Sequence, residues 1–123
     1  MIEGVGVELK GDIVVARIRG AVTSTALEDL HERLLVFLRG TIHGKVLYDA
    51  LEMDPPTVEL TLMQQRLAEA IHESRGRVAV LVPSTRVAFL ARIAFGEGEH
   101  RVFYNDLASA VAWLNAPRTD KPA

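Results

Sequence analysis

The stretch Arg77-Val78-Ala79-Val80-Leu81-Val82 is a continuous apolar run that is rich in valine and ends at Pro83. A run of this kind is typical of a strand that is covered on both faces, as the strands of parallel sheets are. Parallel neighbours are joined by crossover connections, which are usually helices. The stretch therefore predicts an α/β fold with a central, fully buried strand.

Two strands joined by a tight turn are predicted near the start of the chain. Val5, Val7 and Leu9 alternate with glycine and charged residues, which is the pattern of an edge strand with one wet face. Gly11-Asp12 separates this strand from the run 13–19, and glycine at the first position of a two-residue turn favours a type II′ hairpin. The chain is therefore expected to open with a β-hairpin.

Helices and strands are predicted to alternate after the hairpin. The predicted bounds are a helix from the capping box Thr25-Ala26-Leu27-Glu28 to Gly40, a strand over 45–49, a helix from Asp54-Pro55-Pro56-Thr57 to about Ser74, a helix from Ser84 or Thr85 to about Ala94, a strand over 101–103, and a helix capped by Asn105 or Asp106. The order β-β-α-β-α-β-α-β-α predicts a mixed sheet of about five strands in one domain, residues 1–116. Residues 117–123 are expected to be a frayed polar tail.

The helical periodicity also predicts which side chains are buried. The predicted buried stripe of the second helix consists of Leu60, Met63, Leu67, Ala70 and Ile71, and its predicted wet face consists of Gln64, Gln65, Arg66 and Glu69. In the last helix, Trp113 is expected to pack on the sheet near Phe103 and Leu107, because its large apolar area favours burial.

Composition and charge exclude several classes of function. The chain has 123 residues, a formal net charge of -2 and no cysteine. There is no strong positive field to attract nucleic acid, and neither a disulfide nor a thiolate metal site can form. No apolar segment approaches the length of a transmembrane helix, and the N-terminus does not resemble a signal peptide. We expect a cytoplasmic protein without a transmembrane segment.

The C-terminal third carries a recognisable motif. Arg101-Val102-Phe103, Asn105-Asp106-Leu107 and Ala110-Val111-Ala112-Trp113-Leu114 follow one another as a strand, a turn and a helix. Together with Phe89-Leu90-Ala91-Arg92 and Tyr48-Asp49, this pattern resembles the SpoIIAA-like family of small bacterial proteins. The resemblance extends from Ile13 to Leu114.

That family is related to the STAS domain of anti-sigma factor antagonists and is similar in fold to Sec14-type lipid-binding domains. The resemblance therefore implies a non-catalytic protein that binds a protein partner or carries an apolar ligand. Anti-sigma factor antagonists resemble one another in a serine, preceded by aspartate and soon followed by glycine, at the start of the helix after strand three. Here that segment is Asp54-Pro55-Pro56-Thr57, so Thr57 is the candidate phosphorylation site that remains, and a phosphorylation switch is not expected.

No catalytic, metal or cofactor site is predicted. Asp49, Glu52 and Asp54 follow a probable parallel strand, but a solvated loop explains them better than a divalent cation site. Ser84 is explained by helix capping and is not assigned as a nucleophile. His31, His43, His72 and His100 lack the spacing of a zinc site, and we expect them to be surface histidines. Gly96 and Gly98 are expected to end a helix and not to form a phosphate-binding loop.

The third predicted helix is apolar on every side. From Val87 to Phe95 only Arg92 is polar, whereas a helix on a sheet needs only one apolar stripe. The remaining side is covered by the neighbouring loop and helix, by a protein partner or a second copy, or by an apolar ligand. Phe89, Ile93 and Phe95 are the residues expected to form this partner or ligand surface. Protein association is the leading hypothesis, and carriage of a lipid or other apolar molecule is the alternative.

Overall fold

The computed structural model describes residues 4–39, 44–73, 77–95 and 99–116. The predicted tail, 117–123, lies outside these residues. The elements are β1 (Val5–Lys10), β2 (Ile13–Gly20), α1 (Ser24–Arg39), β3 (Lys45–Met53), α2 (Val58–Glu73), β4 (Arg77–Val82), α3 (Thr85–Phe95), β5 (His100–Tyr104) and α4 (Leu107–Asn115). This is the predicted element order.

The five strands form one mixed sheet in the order β1-β2-β3-β4-β5. β1 and β2 are antiparallel, and each later strand runs parallel to the one before it. All six residues of β4 are buried, as its continuous apolar run predicts. The predicted mixed α/β sheet is therefore confirmed.

The strand order decides where the helices lie. Each of the three parallel crossovers moves in the same direction across the sheet, and crossovers of one hand then place their helices on the same face. α1, α2 and α3 accordingly share a core with Val14, Val46 and Val80 on one side of the sheet. Among the described helices, α4 covers the other side, where Ala110 and Leu114 pack on a smaller core that includes Leu47, Ala79 and Leu81.

The hairpin turn has the predicted geometry. Gly11 has a φ of 63°, and among the described residues Asn105 is the non-glycine residue with a positive φ, so Asp12 does not share that conformation. A positive φ at the first turn residue alone matches type II′. The turn closes on the pair Lys10 and Ile13.

Side-chain caps define the helix starts. The backbone N–H of Ala26 donates to Thr23 Oγ1 at 3.1 Å, so the capping residue of α1 is Thr23, two residues before the predicted Thr25, and the helix begins at Ser24. The α2 cap is Thr57, whose Oγ1 accepts from the N–H of Leu60 at 3.2 Å. Ser84 caps α3 and Asp106 caps α4, as expected from their positions.

Strand β3 is longer than predicted. The sequence suggested that it ends at Asp49 and gives way to an acidic loop, but the strand continues to Met53. Its pairing with β2 shifts from Arg17↔Asp49 to Arg19↔Glu52, so β3 contains one extra residue. Such a bulge bends a strand without ending it, and the local acidic composition concealed this continuation.

None of the helices in the described part of the chain is long and apolar enough to cross a membrane.

Candidate functional site

The outer side of α3 exposes a large aromatic side chain. Phe89 is 62% exposed, whereas Val87, Ala88 and Ala91 on the same helix are buried against the sheet. Ile93 follows Phe89 by four residues, so both lie on one side of the helix, and Ile93 is half-buried. The structure thus brings together two of the three predicted surface residues.

The third predicted residue, Phe95, lies elsewhere. It is buried, and its ring centroid is 5.1 Å from that of Tyr48 in an edge-to-face arrangement. Phe95 is six residues from Phe89 and two from Ile93, which places it on the inner side of the helix. It belongs to the core and to the cavity described below, and does not share the outer surface of Phe89.

Helix α2 extends the apolar surface of α3. The two helices pack side by side, and the Gln65 side chain donates from Nε2 to the carbonyl oxygen of Ile93 at 3.2 Å. Val58 and Leu62 of α2 are 70% and 45% exposed. We call Val58, Leu62, Phe89 and Ile93 the α2–α3 face.

A small apolar cavity lies beneath α3, near the carboxyl ends of β2 and β3. Its free volume is about 50 Å³. Its lining consists mainly of alanines and larger apolar side chains from the sheet and from α1, α2 and α3. The polar residues Tyr48, Thr61 and Gln64 also line it. Ligand pockets commonly have volumes of roughly 300–1,000 Å³, so this space is too small for a lipid chain in the form described here.

A buried polar cluster joins α1, β3 and α2. His31 Nε2 lies 2.9 Å from Gln64 Oε1 and 2.7 Å from the Tyr48 hydroxyl oxygen, and Gln64 Nε2 donates to that oxygen at 3.3 Å. His31 is only 2% exposed, and Gln64 is buried as well. The expectations of a surface His31 and a water-facing Gln64 are therefore wrong.

The physical reason is that the two polar residues satisfy each other. His31 belongs to the same α1 stripe as Leu27, Leu30 and Leu34, and Gln64 belongs to an α2 stripe with Thr61 and Ala68. A polar residue on a buried stripe is tolerated when it has a hydrogen-bonding partner. The predicted α2 stripe is only half-buried at Leu60, Met63 and Leu67, and the side chains of Ala70 and Ile71 lie outside the described part.

Burial controls the protonation of this cluster. His31 Nε2 contacts both the amide oxygen of Gln64 and the hydroxyl of Tyr48, and whether it donates or accepts depends on the tautomer of the ring. Nδ1 of His31 is buried and has no hydrogen-bonding partner in the described chain. Desolvation lowers the pKa of His31 to about 4, although the hydrogen bond to Gln64 acts in the opposite direction. Burial also raises the pKa of Tyr48. Both groups are neutral at pH 7.

Thr57 is exposed at the N-terminus of α2. Its Oγ1 accepts from Leu60 N–H, and its carbonyl oxygen accepts from Thr61 Oγ1 at 2.9 Å. The hydroxyl therefore has a structural role as a helix cap.

The acidic residues considered as a metal site form ion pairs instead. Arg17 Nε lies 3.1 Å from Asp49 Oδ2, and Arg19 Nε lies 3.0 Å from Glu52 Oε2. Within the described ranges there is no group of three histidine, cysteine, aspartate or glutamate side chains arranged to hold a metal ion. The prediction of a loop at Asp49 and Glu52 is wrong, because both residues lie in β3.

Of the remaining candidate residues, the structure describes the side chain of His100. His100 is half-buried, with its ring centroid 6.3 Å from that of Phe95. His43, the side chain of His72, Gly96 and Gly98 lie outside the described part of the chain.

Trp113 packs partly as predicted. Its ring centroid is 6.1 Å from that of Phe103, which places α4 against β5. Leu107 does not contribute to this contact as expected, since it begins α4 and is largely exposed.

Comparison with solved structures identifies the fold. A protein of the DUF3478 family with a SpoIIAA-like fold from Shewanella loihica superposes with a TM-score of 0.66 at 24% identity, covering 89% of this chain and 91% of that one. An anti-sigma-factor antagonist (STAS) domain protein from Planctomyces limnophilus gives 0.62 at 16% identity, covering 88% and 95%. The anti-sigma factor antagonist SpoIIAA in its unphosphorylated form gives 0.61 at 19% identity, covering 92% and 99%.

A scan against models of protein families finds no match, and a search of curated proteins finds none either. TM-scores of 0.61 to 0.66 over nearly the whole of each chain show a shared architecture. Because the identities are below 25%, the likeness concerns the fold alone. The chain therefore has the SpoIIAA-like fold, the arrangement of strands and helices that it shares with the anti-sigma factor antagonist SpoIIAA.

Proposed function

We propose that this chain is a non-catalytic regulatory module that acts by binding a protein partner through the α2–α3 face. The observation that carries the proposal is the exposure of Phe89 in the middle of a helix. Fully burying a phenylalanine side chain contributes about 1.5–3 kcal/mol of favourable free energy, but Phe89 is mostly exposed in the monomer and gains little of it. A partner that covers Phe89 would gain the rest of this free energy on binding.

The neighbouring side chains make the surface continuous. Val58 and Leu62 lie on the outer side of α2, and Ile93 follows Phe89 along α3. Aromatic residues surrounded by smaller apolar contacts are typical of the energetic centres of protein interfaces. The fold shared with anti-sigma factor antagonists supports the same class of function.

The buried titratable groups also support a role in binding rather than catalysis. A catalytic acid or base needs a pKa near the working pH and access to the substrate. His31 and Tyr48 are both buried, and their pKa values are shifted away from neutrality in opposite directions. They stabilise the core between α1, β3 and α2.

Carriage of a lipid or other apolar ligand is the alternative that the sequence leaves open. The cavity beneath α3 has the apolar lining that such a ligand needs, but its volume of about 50 Å³ does not accommodate an acyl chain. Protein association is therefore favoured. We further propose that the module works in the cytoplasm. We also propose that it is not switched by phosphorylation at Thr57, because the segment Asp54-Pro55-Pro56-Thr57 lacks the serine and the glycine found in anti-sigma factor antagonists.

The test is an affinity capture from the source cell with three forms of the protein, namely wild type, Phe89→Ser and Leu107→Ser. Leu107 is the control, since it is an exposed large apolar residue at the start of α4, on the opposite side of the sheet from α2 and α3. We expect a partner that wild type and Leu107→Ser retain and Phe89→Ser loses. With the purified partner, Phe89→Ser should raise the dissociation constant at least about tenfold.

Native mass spectrometry and phosphopeptide mapping complete the test. A co-purifying small molecule on wild type that Phe89→Ser leaves in place would favour the carrier. Equal partner binding by the Phe89→Ser and Leu107→Ser variants would refute the proposal that the partner binds the α2–α3 face. Stoichiometric phosphate on Thr57 in cells would refute the absence of a phosphorylation switch.

A further inference from the structure

We infer that the edge of β1 with which no described strand pairs binds β1 of a second copy of this chain, antiparallel and centred on Val7. The two sheets then form one continuous sheet. This inference is independent of the proposed function, because β1 lies at the opposite edge of the sheet from β5 and leaves the α2–α3 face uncovered.

The pairing of β1 with β2 determines which backbone groups are free. Arg19 N–H donates to the Gly4 carbonyl oxygen at 2.7 Å, so Gly4 and Arg19 form a hydrogen-bonded pair. In an antiparallel ladder such pairs alternate with pairs that are not hydrogen-bonded. Val5, Val7 and Leu9 therefore point their N–H and C=O groups away from β2, towards the open edge. These are the groups that a second strand can pair with.

The register centred on Val7 uses all three residues. Val7 then lies opposite Val7 of the second copy, and Val5 lies opposite Leu9 in both directions. Each of these pairs exchanges two N–H···O bonds. A register centred on Leu9 would align fewer residues, since the turn begins at Gly11.

The charges on β1 favour this register. In it, Glu8 lies opposite Gly6 of the second copy. Gly6 has no side chain, and a Cβ built there meets no atom within 4 Å, so the space above it is open. Arg17 of β2 is paired with Gly6, and its Nε contacts Asp49 at 3.1 Å. The Glu8 carboxylate can therefore extend over Gly6 towards the Nη groups of Arg17.

A shift by one step removes this complementarity. With Val7 opposite Leu9, Glu8 would face Glu8 of the second copy, and directly opposed like charges destabilise a strand pair. In the monomer Glu8 contacts Lys10 at 3.5 Å with both side chains largely exposed, an ion pair of little energetic value that is easily exchanged. The charges of β1 thus select the Val7-centred register.

The helical side of the edge is apolar. Val5 belongs to the main core, Val7 packs against it, and Leu9 is 49% exposed. Pairing with Val5 of the second copy covers the exposed part of Leu9. α1 packs over β1, so its exposed Val36 lies in the same layer. The edge therefore provides backbone groups, a charge pair and an apolar contact for the same partner.

The absence of cysteine allows a direct test by disulfide trapping in the full chain. Hydrogen-bonded antiparallel residues have Cα atoms about 5.5 Å apart, which is within the range of a disulfide. Val7→Cys should form a covalent dimer in a glutathione redox buffer. The control is Leu9→Cys, whose two copies would lie roughly 14 Å apart in this register, even though position 9 is more accessible.

Proline at position 7 tests the backbone contact separately. The N–H of Val7 points outward, so Val7→Pro leaves the β1–β2 ladder intact and removes the central bonds between copies. Analytical ultracentrifugation should show a dimer for wild type and for Val7→Ala. The alanine variant is the control, because it loses the valine side chain as Val7→Pro does but keeps the backbone N–H. Val7→Pro and Glu8→Lys should weaken dimerisation at least about tenfold.

Three results would overturn the inference. The first is a wild-type protein that stays monomeric at concentrations of about 100 μM, where weak dimers are populated. The second is trapping of Leu9→Cys as fast as Val7→Cys, which would indicate random collision or another register. The third is a dimer that Val7→Pro leaves unchanged and Phe89→Ser dissociates, since that would place the contact on the α2–α3 face.

Discussion

The guanidinium carbon of Arg77 lies 4.2 Å from the centre of the Trp113 indole ring. The same side chain donates from Nη1 to the carbonyl oxygens of Trp113 and Ala116 at 2.9 and 3.1 Å, and from Nε to Glu99 at 2.7 Å. Arg77 begins β4, whereas Trp113 and Ala116 lie at the end of α4. One nearly buried arginine thus fixes the C-terminus of α4 to the sheet.

Arg77→Lys should lower the free energy of unfolding by about 1–2 kcal/mol, because lysine lacks the planar fork that contacts two carbonyls and an indole ring together. Arg77→Ala should cost about 3 kcal/mol. Glu99→Gln is the control and should cost less than about 1 kcal/mol, since Glu99 is largely exposed. Urea unfolding followed by Trp113 fluorescence measures all three. Equal stability of Arg77→Lys and wild type would contradict the role of Arg77 in fixing the C-terminus of α4 to the sheet.

Trp113→Ala should destabilise the protein by about 2–3 kcal/mol, somewhat less than a fully buried aromatic residue, because Trp113 is half-buried. Leu107→Ala provides the comparison on the same helix and should change stability by no more than about 0.5 kcal/mol. Thermal unfolding followed by circular dichroism distinguishes them. An unchanged melting temperature for Trp113→Ala would assign this residue to a binding surface.

Acid should destabilise the fold through His31. Its folded pKa of about 4 lies below its unfolded value of 6.5, so the unfolded state binds more protons between these values. The stabilisation is complete above pH 6.5 and is lost as the pH falls towards 4, by a total of about 3 kcal/mol. Urea unfolding at pH 7.0 and 4.5 measures this loss. His31→Gln should show a much smaller loss, and parallel pH profiles for the two proteins would assign the acid sensitivity to other groups.

Filling the cavity beneath α3 should stabilise the protein. An unfilled apolar space of about 50 Å³ costs roughly 1 kcal/mol. Ala50 lines this cavity from β3, and valine is favoured in strands, so Ala50→Val should raise the free energy of unfolding by up to about 1 kcal/mol. Ala16→Val is matched in chemistry but lies in the closed part of the core, where overpacking should cost about 1–3 kcal/mol. Chemical denaturation compares them, and destabilisation by both variants would show that the space is not available to a side chain.

The capping role of Thr57 predicts opposite results for two substitutions. Thr57→Ala should cost about 1 kcal/mol because the N–H of Leu60 loses its acceptor. Thr57→Asp retains an acceptor and adds negative charge at a helix N-terminus, so its stability should equal or exceed that of wild type. Thermal melts of the two variants suffice. A Thr57→Ala protein as stable as wild type would contradict the role of Thr57 as the cap of α2.

The strands and helices were predictable because each follows a local signal. The apolar run of β4 predicts a fully covered strand, and Gly11 predicts the hairpin turn. The continuation of β3 past Asp49 was not predictable, since it depends on pairing with Arg19 and Gly20 of β2. Pairing between strands that are distant in sequence is invisible to a local pattern.

The same limit explains what was missed inside the core. A surface position was expected for His31, because its burial is acceptable only with Gln64 and Tyr48, which lie on two other elements. The apolar composition of α3 predicted an uncovered side, which Phe89 provides. It did not indicate that Phe95 turns inward to Tyr48, because that depends on where β3 lies beneath the helix.

The strand order has a consequence for how the protein is made. Every strand pairs with its predecessor in sequence, so each element can dock on the part already formed while the ribosome is still adding residues. α4 is the exception, because it closes a face built from three earlier strands. Until Leu107–Asn115 has emerged, Leu47, Ala79 and Leu81 lack this cover, and transiently exposed apolar surface of this kind favours aggregation.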